Sequence, residues 1–105
     1  MNQESIKKMM DEIFAGQDFE IISNSKDLQR NVFVCRKGEK KRLIGVWPNH
    51  DLLNILLKKE VWEKLENIGF RFDVQPIING NQHDYRKVSQ THVQAICKSY
   101  LEIIK

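Results

Sequence analysis

The residues in this chain whose types and spacing best suit chemistry are cations. Within residues 30–42, Arg30, Arg36, Lys37, Lys40, Lys41 and Arg42 stand against a single carboxylate, Glu39, a local +5 in a chain whose net charge is +3, so the remainder carries −2. A local basic patch attracts polyanions even where overall charge is small, and its guanidinium and ammonium groups neutralise phosphates and release condensed counterions. Trp47, a few residues further on, offers an aromatic face suited to stacking. The competing reading is simpler: lysine-rich turns keep sheet edges from pairing with other chains.

Other chemistries have weaker footing. His50, His83, His92, Cys35 and Cys97 are all zinc-ligand types, but no two have close ligand spacing, and His92 and Cys97, five apart on a helix, point in different directions. No metal and no cofactor are expected. Both cysteines lie in apolar patterns, which reads as core rather than as a reactive thiolate. His83-Asp84, followed by Tyr85 and Arg86, is the one acid–base pair in a long polar segment of the kind that carries active sites. Sequence neighbours seldom form a working dyad, and no catalytic residue is assigned. Leu52, Ile55, Leu56 and Trp62 make a last candidate, because they widen the apolar surface of a helix beyond one stripe. They are either core or anchors for a protein partner.

The elements that must position these groups follow from periodicity. Ile6, Met9, Met10, Ile13 and Phe14 share one helical face, which predicts a helix over Gln3 to Ala15 ended by Gly16. Phe19 and Ile21 alternate with acidic residues in a first strand, stopped by the turn formers of residues 23–27. Val32 to Cys35 and Leu43 to Trp47 read as antiparallel strands joined through Gly38, so the cations sit on a hairpin. Pro48 and Asn49 then end the third strand and open a second helix, with Leu53, Leu57, Val61, Leu65 and Ile68 on one face and Gly69 at its close. Phe70, Phe72 and Val74 alternate as a fourth strand up to Pro76, and residues 79–87 read as a loop. Ser89 caps a third helix from Gln90, which buries Val93, Ile96, Cys97, Tyr100 and Ile104.

The order of a helix, three strands, a helix and a strand resembles the core of the restriction-endonuclease-like nucleases, whose metal site uses an acidic residue followed by Glu-x-Lys. Asp27 and Glu39-Lys40-Lys41 supply those letters, and the resemblance implies a divalent-metal nuclease. In that family, however, the motif lies within a strand among apolar neighbours, whereas this Glu39 follows Gly38 in a turn. The first 68 residues also resemble the double-stranded-RNA-binding domain in element order. The expected second helix begins Asn49-His50-Asp51 and not with the lysine cluster those domains place on phosphates. The chain is assigned to neither family.

Length and composition bound the rest. The 105 residues, 41% hydrophobic and 30% charged, suit one α+β domain over residues 1–105, with a mostly antiparallel four-stranded sheet packed by helices. Two cysteines point to a reducing, cytoplasmic setting. The opening Met1-Asn2-Gln3-Glu4 is no apolar leader, and the greasiest run, Leu52 to Leu57, falls far short of a membrane span. The reading is therefore a small non-enzymatic module whose basic hairpin contacts nucleic acid or another polyanion. The alternatives are a protein-interaction module (adaptor, inhibitor or immunity-type protein, or a homo-oligomer) using the second helix or residues 79–87, and the metal nuclease.

Overall fold

In the computed structural model, which describes residues 1–105, helix α1 (Gln3–Ile13) starts at Asn2, whose side-chain oxygen accepts the Ser5 backbone N–H at 2.9 Å. The chain leaves that helix through Gly16 at φ 74°, a conformation that favours glycine. It then runs through four consecutive antiparallel strands, β1 (Phe19–Ser23), β2 (Val32–Arg36), β3 (Arg42–Asn49) and β4 (Leu52–Lys58). Helix α2 (Lys59–Asn67) follows β4 without a linker. A second hairpin, β5 (Ile77–Asn79) and β6 (Gln82–Val88), pairs back onto β4, and α3 (Gln90–Ile103) closes the chain behind a Ser89 cap. The sheet order is β1-β2-β3-β4-β6-β5.

The α+β class, the single antiparallel sheet and the sequence of helix, strand block, helix, strand block, helix agree with expectation, but the sheet has six strands where four were expected. Two misreadings account for the difference. Residues 52–58 are a strand, not the first half of a helix: Leu53 and Leu57 lie on β4 while Val61 and Leu65 lie on α2, and all four are buried. Residues 79–87 are not a loop, because Gly80, at φ 60°, takes the first central position of a two-residue turn between paired Asn79 and Gln82. The segment 70–74 is itself no strand. Phe70, Phe72 and Val74 pack against the core, and Phe72 stacks on Tyr85 with ring centroids 4.4 Å apart. The His92 ring holds this segment in place by accepting the Asp73 backbone N–H at 3.1 Å.

All three helices press on one face of the sheet. Their buried side chains and those of Val32, Val34, Val46, Ile55, Leu57 and Tyr85 form one continuous core. The residues between them on the strands, Phe33, Trp47 and Leu56, are half-buried and lie outside that core. A bulge in β3 adjusts this alternation: Val34 pairs with Ile44 but Cys35 pairs with Arg42, so Leu43 is an extra residue. Leu43 and Ile44 both turn inward and are buried, while Arg42 returns to the outer side. A second bulge, in β6, puts Lys87 at φ 55° and is held by Asn54, whose side-chain oxygen accepts the Lys87 backbone N–H at 3.0 Å. No helix is long and apolar enough to cross a membrane.

Candidate functional site

Antiparallel pairing brings three chain reversals to one end of the sheet: the β2–β3 turn, the β4–α2 junction and the β5–β6 turn. Between them lies a cleft of about 610 Å³ with no apolar residue in its lining. The hairpin supplies Lys40, Lys41 and Arg42, the junction supplies Lys58, Lys59 and Glu60, and the second turn supplies Asn79, Asn81 and Gln82. Lys40, Lys41, Arg42 and Lys58 form no ion pair with any carboxylate, and Lys59 makes only an exposed contact with Glu63 at 3.8 Å. No side chain caps the first turn of α2, so its backbone N–H groups stand beside the lysines and add partial positive charge.

Glu60, the one carboxylate in the cleft lining, and Glu39 on the hairpin turn are both paired with Arg36. This arginine projects to the helix side of the sheet, where it pairs with Glu60 and reaches the Tyr100 hydroxyl at 3.5 Å and Glu39 at 4.0 Å. Its pKa is raised, chiefly by the hydrogen bond to Glu60. Arg36 therefore ties β2 to α2 and α3, and it is not one of the cleft's free cations. Strand parity is the reason: with Arg42 outward and Val34 inward, Arg36 must face the helices.

The remaining expected cations separate further. Lys37 is exposed beside Gly38, outside the cleft lining. Arg30 lies in the β1–β2 loop, at the opposite end of β2 and roughly 20 Å along the strand from the turn. Asp27 occupies that same distant loop, accepting the Gln29 backbone N–H at 2.9 Å, and this bond chiefly lowers its pKa. Asp27 and Glu39 thus stand at opposite ends of the sheet and do not assemble the metal site of a nuclease.

The protein-contact candidates also disperse. Leu52, Ile55 and Leu56 belong to β4: Ile55 is wholly buried, Leu56 is outward and Leu52 borders the β3–β4 turn. Trp62 does lie on α2, but it stacks on His83 at 3.8 Å and its indole N–H donates to the Asn81 carbonyl at 2.9 Å. His83 and Asp84, adjacent on β6, point to opposite faces and cannot act as a dyad. No three histidines, cysteines or carboxylates come together as a metal site. Cys97 is buried in the core and its thiol is pushed up to about 12 by burial. Cys35, between Glu20 and Arg42 on the outer pleat, is also covered, and burial raises its pKa.

Sequence reasoning missed Lys58 and Lys59, which were read as helix interior. The signal was present, since a lysine pair that ends an apolar strand run and precedes Glu60-Val61 fits a helix start as well as a helix middle. It also missed Phe33 and Gly45 on the outer face. The Phe33 ring lies over Gly45, where a Cβ would come within 3.2 Å of it, and Arg42 lies 4.0 Å from the ring centroid. Comparison of the chain with protein-family models, with curated proteins and with solved structures found no match to any of them.

Proposed function

We propose that this protein is a small non-enzymatic binding module whose basic end contacts the phosphates of a nucleic acid. One observation carries the reading: five cations from two separate elements converge on one polar cleft, and four of them have no carboxylate partner. Lys40, Lys41 and Arg42 form one wall, and Lys58 and Lys59 form the other with the start of α2. Contacts of this kind position a polyanion without reading its sequence. Arg36, by pairing with Glu60, removes a negative charge from the cleft and fixes the hairpin against the helix.

The test is titration of labelled oligonucleotides, followed by fluorescence anisotropy across a salt series. Binding is expected at low ionic strength and should weaken steeply with salt. Each cleft lysine changed to glutamine should lower the slope of log K against log salt by about 0.7–0.9. Arg30→Gln should leave both affinity and slope unchanged. Absence of binding at low salt, or binding indifferent to salt, refutes the reading.

A protein-interaction module is the second reading. It is favoured by β5, a three-residue edge strand on which Ile77 and Ile78 are 55% and 66% exposed. Such an edge invites strand addition from another chain. A dimer in solution that dissociates on Ile78→Lys would support it.

A further inference from the structure

We infer that the ligand of the basic cleft is single-stranded, and that the outer face of the sheet receives one of its unpaired bases. The inference rests on the phosphate reading of the cleft and adds to it the class of nucleic acid.

Next to the cleft, the outer face carries a shallow trough of about 260 Å³. Pockets that enclose a whole small-molecule ligand run to roughly 300–1,000 Å³, so this one suits a single planar ring. Its floor is Gly45, flanked by Phe33 on β2, Leu56 on β4 and Trp47 two residues further along β3. The absent side chain at Gly45 lets the Phe33 ring lie close against β3, where a Cβ would come within 3.2 Å of it, and so keeps the trough floor low between Phe33 and Leu56. A glycine inside a strand marks a place of close approach, by a neighbouring side chain, another backbone or a ligand.

The trough is continuous with the cleft, because Arg42, Lys58 and Gln82 line both. A strand whose phosphates meet the cleft lysines would therefore lay the adjoining base over the trough. The flat surfaces needed for stacking are present. Arg42 is held against Phe33, and both guanidinium planes and aromatic rings stack on bases. Trp47 is half-buried, has no aromatic neighbour, and its indole N–H donates to no group in the protein. The amide of Gln82, also without a partner in the protein, borders the trough where a base edge would lie. Asp84 on β6, paired with Arg86 at 3.0 Å, adds no free charge to the outer face beside the trough. A duplex fits this arrangement poorly, since its bases are paired and present only their edges.

Four probes test this: a labelled single-stranded 12-mer, the same length with abasic sites, its duplex, and inorganic polyphosphate. Trp62→Phe serves as the background, leaving Trp47 as the sole indole. The expected result is tighter binding of the single strand than of the abasic strand or duplex, with quenching of Trp47 by the single strand alone. Trp47→Ala should weaken single-strand binding about 5- to 150-fold, leave the salt slope and abasic affinity unchanged, and be largely rescued by Trp47→Phe. Equal affinity for all four probes, with Trp47 emission undisturbed, overturns the inference while the phosphate reading stands. If no probe binds at low salt, both fall. A dimer that hides Trp47 and is not dispersed by oligonucleotide also overturns it, giving the face to a second copy of the chain.

Discussion

The two faces of the sheet come from the same strands but are made of different material. Apart from Arg36 at the end of β2, the inward residues that pack the core along β2, β3 and β4 are aliphatic, and three amphipathic helices cover them. Outward residues mix Phe33, Gly45, Trp47 and Leu56 with Arg42 and Lys58, and no helix covers them. The two tryptophans summarise the contrast: Trp62 has its ring face on His83 and its N–H on a carbonyl, whereas Trp47 has neither kind of partner. Apolar groups on the inner face are therefore folding material. Those on the outer face are only half-buried and lie beside unpaired cations, and the proposed binding role rests on them.

The sharpest way to break this contrast uses two adjacent residues of β4. Ile55→Ala should cost about 2–5 kcal/mol in urea unfolding, and Leu56→Ala under about 1 kcal/mol. Equal losses would mean that both faces are core. Alkaline pH probes the inner face next. Cys97 and Tyr85 are each pushed up to about 12 by burial, from 9.0 and 10.0, so the unfolded chain releases these protons first. Their stabilisation is complete below about pH 9 and is lost as pH rises toward 12, at about 1.4 kcal/mol per unit for each group within its window. Urea midpoints at pH 8, 10 and 11 should fall accordingly, and Cys97→Ala should flatten the first part of the decline.

Two cations then separate the roles of the faces. Arg36→Gln leaves Glu60 unpaired on the cleft wall, so its main effect should be a loss of about 1–3 kcal/mol in stability, with a smaller loss of oligonucleotide affinity from the freed charge. Lys41→Gln should do the reverse, shifting stability by less than about 0.5 kcal/mol while lowering the slope. The smallest effect is a control belonging to neither face. His50, at φ 54° in the β3–β4 turn, should tolerate glycine with a gain of up to about 1 kcal/mol by thermal unfolding.

Much of the architecture was legible in the residues, and the failures have specific causes. The first and third helices, the Ser89 cap and the hairpin through Gly38 were readable because each has a terminator or cap beside a clear period. Residues 49–58 were misread because a four-residue spacing of leucines satisfies a helix and also a strand, where an even step returns to the same face. Leu53, Leu57, Val61 and Leu65 were rightly placed together, although the backbone changes from strand to helix midway. The alternation of residues 70–74 reflects packing onto the core without any strand partner. At the site, charge density located Lys40, Lys41 and Arg42, but it could not separate Arg36, which parity turns inward, or Arg30, which a whole strand carries away. Lys58 and Lys59 reach the cleft only through long-range pairing of β3 with β4.

The Arg36–Glu60 pair has a mechanical consequence. One wall of the cleft hangs from a hairpin and the other from a helix start, and the pairing of β3 with β4 joins them only at their base. The guanidinium, anchored also at Tyr100, works like the locked screw of a calliper: it sets the gap between opposing ammonium groups before anything arrives. A calliper gauges width, so chains of different thickness should be sorted by fit across the jaws, with little adjustment by the protein.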